Sequence, residues 1–225
     1  ENVMNPSSSA PSAGGSPIAR PLRLWFLVEL FFAVSASISV GLQPAMTATN
    51  FAWTIRPEVM AAALGAFYLA LAPTVVLVLI ARRWEAVRVF VLAGMAFTFA
   101  QLVVTLLHWD RFAIGTAPFN LWFASYLLPP PVFLGCWLWQ RKRAVTTPGV
   151  PLDGRVRGLL VVAGVAFLLE AAVGLFVPSG LSAWAPWPIT TLNARAFGGF
   201  FLLAGLMLTL VAVENARDNV RLMAP

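Results

Sequence analysis

Six runs of about twenty apolar residues divide the chain at roughly 22 to 42, 59 to 81, 87 to 107, 119 to 139, 158 to 178 and 195 to 214. A helix needs about 20 apolar residues to cross a hydrocarbon layer about 30 Å thick, so each run predicts a membrane span. The charged fraction of 11% supports this, because soluble domains carry about 25%. The predicted fold is therefore all-α, a polytopic bundle forming a single domain over residues 21–225. Residues 1–20, rich in Ser, Pro, Gly and Ala, read as a flexible N-terminal tail, since they have too little apolar surface to offset ordering. Arg20 and Arg23 precede a full-length first span, which suggests an uncleaved anchor.

Of the fifteen basic residues, Arg20, Arg23, Arg82, Arg83, Arg88, Arg141, Lys142, Arg143, Arg155, Arg157, Arg217 and Arg221 fall on one side of the expected layer. Arg56, Arg111 and Arg195 fall on the other. The positive-inside rule then predicts that both termini are cytoplasmic. This topology, with anionic lipid, accounts for the net charge of +6 without a nucleic-acid partner. Cys136 stands alone inside the fourth span, so an intramolecular disulfide or thiolate metal cage is excluded.

The segment from Val40 to Ala70 resembles that from Val173 to Ala204. With one inserted residue, Val40, Gly41, Leu42, Pro44, Trp53, Ile55, Ala62, Gly65, Phe67, Leu69 and Ala70 match Val173, Gly174, Leu175, Pro178, Trp187, Ile189, Ala196, Gly199, Phe201, Leu203 and Ala204. Spans 1 and 2 thus resemble spans 5 and 6, a partial parallel repeat about an axis along the membrane normal. Trp53, Trp184, Trp187 and Trp109 are expected as interfacial anchors, since amphipathic rings favour the headgroup layer. The small residues Ala61, Ala62, Ala63 and Gly65, with Gly198, Gly199, Ala204 and Gly205, permit close helix approach.

Chemistry-bearing residues are few. His108, the one histidine, lies in "LLHWDRF" at the end of the third span. It reads as an interfacial cap beside an Asp110–Arg111 pair, with a pigment-ligand role as the alternative. A bis-histidine haem would need a second histidine. Glu29 and Glu170 sit within spans, where acids are costly and mark proton or substrate paths by default. The alternative for each is a protonated packing residue or a partner for a neighbouring subunit's base. Pro129, Pro130 and Pro131 predict a helix break that frees carbonyls near Ser125, Tyr126 and Leu127, beside either a cavity or protein. Phosphate-loop, zinc-protease and nucleophile-elbow motifs are absent, which disfavours an enzyme and leaves no catalytic or metal-binding residue to name.

The segments "WPITTLNARAFGGFFLLAG", "ARRWEAVR" and "LLHWDRF" resemble uncharacterised bacterial multi-pass membrane proteins over residues 22 to 221. That resemblance implies topology and a bacterial cytoplasmic membrane. By type alone, the aromatic helix surface and scarcity of redox ligands also resemble accessory subunits of electron-transport assemblies, such as alternative complex III or photosynthetic complexes. The leading expectation is a non-catalytic scaffolding subunit, respiratory or photosynthetic, with other integral-membrane subunits and lipid as partners. It would have no intrinsic cofactor, but bound lipid and a pigment or quinone contact are compatible with it. The alternative is a small-molecule or proton-coupled transporter using Glu29 or Glu170. A third reading, a lipid- or quinone-directed enzyme, would need a polar cluster around His108 and Asp110 open to the bilayer.

Overall fold

A computed structural model describes residues 16–142 and 150–215, with the side chain of Trp184 outside the description. The expected tail up to residue 15, and Arg143, Arg217 and Arg221, lie outside the described residues. Helix α1 (Arg20–Ala36) runs directly into a π-helical turn (Ser37–Leu42), followed by a 3-10 turn (Pro44–Met46) and the short α2 (Thr47–Asn50). Then come α3 (Glu58–Ile80), α4 (Trp84–Leu107), a 3-10 turn (Trp109–Arg111), α5 (Ala117–Leu127) and α6 (Pro129–Arg141). The order ends with α7 (Gly154–Phe176), α8 (Pro178–Trp184) and α9 (Thr191–Glu214). No strand occurs among the described residues.

Six helical segments are long and apolar enough to cross a membrane, α5 and α6 together making one of 25 residues. Their ends lie close to those expected, the largest differences being 158 against 154 and 195 against 191. Thr116, Asp153 and Thr190 explain three of the starts, because each side chain accepts a backbone N–H from the first turn of α5, α7 and α9. The helix ends carrying Arg23, Arg82, Arg88, Arg141 and Arg157 form a basic face; the loops with Asn50, His108 and Trp187 form the distal face.

Helices α4 and α9 are the most enclosed spans and α7 the least. Glycines set how closely the helices pack. In the two hairpins that match in sequence, Gly41 lies on Gly65 and Gly174 on Gly198, with backbone against backbone. Gly199, the residue matched to Gly65, instead meets the Gln101 amide of α4. Gly164 and Gly205 bring α7 and α9 together along the rest of their length, against Thr209 and Leu168. Small residues favour association in lipid because they let backbones approach. The distal loops of the two matched hairpins are each closed by a hydroxyl: Ile55 N–H donates to Thr47 Oγ1 at 3.0 Å, and Ser182 Oγ donates to the Ile189 carbonyl at 3.1 Å.

Residues 16 to 19, expected within the flexible tail, are held at the basic face. Ser16 N–H donates to Glu85 Oε1 at 3.1 Å, and Gln140 clamps the strand-like segment through Ala19 N–H at 3.1 Å and the Pro17 carbonyl at 2.8 Å. Ile18 is buried beside them. One side-chain amide on α6 and one acid on α4 supply partners that the composition of the tail could not reveal.

Candidate functional site

Leu22, Phe26, Ala33, Ser37 and Val40 form the buried face of the first span, at the three- and four-residue spacing of one helical stripe. Glu29 falls on that stripe. Tyr68 of α3, Phe97 and Thr98 of α4, and Trp122 and Tyr126 of α5 face it by the same periodicity, and together they enclose a cavity of about 60 Å³. This can hold a few waters or a very small solute, since one water needs about 10–15 Å³ of such space. The cavity extends past Ser35, Ser39 and Ser125 to Asn50, Phe51 and Pro118 at the distal face. Small side chains along the first span, Ala33, Ser35 and Ala36 of α1 and Ser39 of the π-helical turn, leave the space open. Toward the basic face, Phe26 packs against Phe90 and Phe133 with ring centroids 5.8 and 6.0 Å apart, closing the passage there.

Two acceptors lining the cavity are unsatisfied. Glu29 Oε1 and Asn50 Oδ1 are sealed from solvent without a hydrogen-bond partner, although Asn50 Nδ2 donates to Gln43 at 2.8 Å. Opposite them the Tyr68 and Tyr126 hydroxyls share a buried hydrogen bond of 2.6 Å. Buried polar atoms are usually paired, so orphan acceptors around one space mark a place for a donor.

The other sequence candidates are elsewhere. Glu170 is exposed on the outward face of α7 and lines neither this cavity nor the apolar groove between α1 and α3. Pro129, Pro130 and Pro131 deprive the carbonyls of Ser125, Tyr126 and Leu127 of helical partners, yet Leu128 keeps helical angles (φ −79°, ψ −39°) and α6 continues α5. The prolines lie outside the cavity, one turn from Ser125 and Tyr126, which line it. Cys136 is half-buried against the core and free.

Trp53 is corrected from an interfacial anchor to a core residue. It is 4% exposed, meets Phe51, Phe112 and Trp122 edge-on or tilted, and donates from Nε1 to Asn193 Oδ1 at 3.0 Å. The loop folds inward because this amide on α9 satisfies the indole. Trp109 does stay at the surface, edge-on to Phe119 and Phe123, and Trp187 is half-buried. The Trp184 side chain lies outside the described residues.

His108 ends α4, and Asp110 pairs with Arg111 at 3.2 Å in an exposed position. Its main partner comes from a distant helix that no local motif could indicate. Arg195 donates from one guanidinium nitrogen to His108 Nε2 at 2.7 Å, and its Nε donates to the Leu175 carbonyl at 3.1 Å, joining α4, α7 and α9. Arginine has no acceptor, so Nε2 must be unprotonated. Burial, then the Arg195 charge, lower the His108 pKa; Asp110 opposes this and Arg111 adds to it. With the folded pKa depressed, the unfolded chain binds the proton first as pH falls below about 6.5, and stability is lost. Thermal unfolding in detergent at pH 7.5 and 5.5 should therefore show a fall that His108→Gln reduces; an equal fall in the variant would remove His108 as its source.

Among the described residues no three His, Cys, Asp or Glu side chains gather to hold a metal. A single carboxyl beside hydroxyls and rings can take up a proton or neutralise a cation. Compared with known proteins, the chain matches no family model, no curated protein and no solved structure.

Proposed function

We propose that this protein is a small-solute or proton-coupled membrane transporter in which Glu29 is the carrier carboxyl. One observation carries the reading: an intramembrane acid with one unpartnered oxygen, Glu29 Oε1, lies at the foot of a cavity lined out to the distal face. Acids at membrane depth are expensive, and they commonly face a bundle interior or cavity that carries ions or protons. The cavity with its aromatic closure toward the basic face has the form of one half of an alternating-access path. In the proposed setting, a bacterial inner membrane with cytoplasmic termini, the distal face is external.

The test is flux in liposomes containing the purified full chain, with a trapped pH indicator and an imposed potential. Glu29→Gln should reduce protein-dependent proton or solute movement at least about tenfold, while Glu170→Gln leaves it near the unmodified rate. Equal flux in Glu29→Gln, or no flux above empty liposomes, sinks the proposal.

The accessory-subunit reading rests on a different observation. Helix α7 leaves Leu159, Val162, Leu169 and Glu170 exposed on a broad outward face. An acid turned toward lipid favours a neighbouring helix that supplies a donor. Gentle purification from native membranes tests this. Co-migration with redox or pigment subunits, and their absorption in the same band, is its expected result; a lone colourless band counts against it.

A further inference from the structure

We propose that the Glu29 cavity is a binding site for a small ammonium-type cation, a positively charged nitrogen carrying several N–H donors. This deepens the transport reading and rests on it for the role of the cavity, but the complementarity stands on its own observations.

The lining has more acceptors than donors, although one proton of the Tyr68–Tyr126 pair and the Ser35 hydroxyl can donate. Glu29 Oε1 and Asn50 Oδ1 are sealed and unpartnered. Three of the nearby hydroxyls spend their protons on their own helices: Ser39 Oγ donates to the Ser35 carbonyl at 2.9 Å, Thr98 Oγ1 to the Gly94 carbonyl at 2.8 Å and Ser125 Oγ to the Trp122 carbonyl at 2.7 Å. Their lone pairs are what remains for an occupant. A ligand that was itself mostly acceptor, such as a carboxylate or phosphate, would meet repulsion here. An ammonium group supplies several donors and no acceptor.

Charge and shape agree. Glu29 is the one acid among the described lining residues, and no Lys, Arg or His lines the cavity. The Phe32, Phe97 and Trp122 rings complete the walls. Aromatic faces attract cations, more strongly where water is excluded, and tolerate a short alkyl body. The volume of about 60 Å³ suits a small cation. The same chemistry is carried by a free amine and by the headgroup of an ethanolamine lipid.

The experiment is equilibrium binding of ethylammonium to the full chain in phosphatidylcholine nanodiscs, read by calorimetry and by tryptophan fluorescence. Ethylammonium should bind saturably, and ethanol, a neutral molecule of similar size, should neither bind nor compete. Tetramethylammonium, which has the charge but no N–H donor, should bind more weakly. Glu29→Gln should weaken binding roughly 10-fold to 100-fold, the range of a charge-assisted hydrogen bond, while Glu29→Asp retains part of it. Glu170→Gln should match the unmodified chain. If Glu29→Gln fails to fold, the ligand series on the unmodified chain and Glu29→Asp still decide. Competition by added phosphatidylethanolamine would identify a headgroup as the source, and no competition a free amine; both uphold the site. Equal binding of ethanol, tighter binding of acetate, or unchanged affinity in a folded Glu29→Gln overturns it. Binding without flux leaves this site standing and removes the transport reading. Proton flux indifferent to ethylammonium does the reverse.

Discussion

Gly65→Ala is expected to destabilise the protein more than a methyl group added at any other glycine of the described residues. A Cβ at Gly65 would overlap Gly41 Cα and N, with the Val40 carbonyl carbon at 3.0 Å. All three are backbone atoms, so no side chain can rotate away, and α3 must separate from the π-helical end of the first span. Overpacking typically costs about 1–3 kcal/mol, and this contact belongs at or above the top of that range. The same change at Gly135 in α6 meets nothing within 4 Å. There alanine gains up to about 1 kcal/mol of helix propensity. Thermal unfolding of both variants in one detergent should place Gly65→Ala far below the unmodified chain and Gly135→Ala at or slightly above it. Coincident melting curves would mean that the two helices do not meet at Gly41 and Gly65.

Trp53→Ala carries the second large effect. Removing a buried large aromatic side chain costs about 3–5 kcal/mol, and here it also empties the junction between Phe51, Phe112 and Trp122. Trp53→Phe keeps most of the ring packing but leaves Asn193 Oδ1 without its donor, for about 1–3 kcal/mol. Because the two side chains share one hydrogen bond, Trp53→Phe combined with Asn193→Leu should cost less than the two single changes added together. An exposed anchor behaves differently, since surface substitutions mostly fall within about 0.5 kcal/mol. A Trp53→Ala protein as stable as the unmodified one would return Trp53 to the lipid interface.

The two intramembrane acids show where sequence reading reaches its end. Glu29 and Glu170 are the same residue type in similar apolar runs, and both qualify as functional candidates on burial cost alone. Helix packing separates them: Glu29 lies on the stripe that α1 turns toward α3, α4 and α5, whereas Glu170 lies on the face that α7 leaves uncovered. In the run "LLVVAGVAFLLEAAVGLF" hydrophobicity does not separate the covered side from the open one, because in lipid both are apolar; only the small residues Gly164, Ala171 and Gly174 mark the buried face. The same limit applies to His108, whose partner Arg195 is 87 residues away. The polar cap of α4 was legible in "LLHWDRF", but the cation that closes it was not.

The spans, their near boundaries, the basic end of the bundle and the glycines able to pack closely were determined by the sequence itself. Each follows from local physics: about twenty apolar residues make a crossing helix, and a missing Cβ permits contact. Only the tertiary structure decided that Trp53 turns inward, that residues 16 to 19 are clamped, and that one acid borders a cavity while the other faces outward. These outcomes depend on which helix faces meet. That choice is made by long-range packing and by a few hydrogen bonds between distant residues, for which a chain of nearly uniform hydrophobicity carries little local signal.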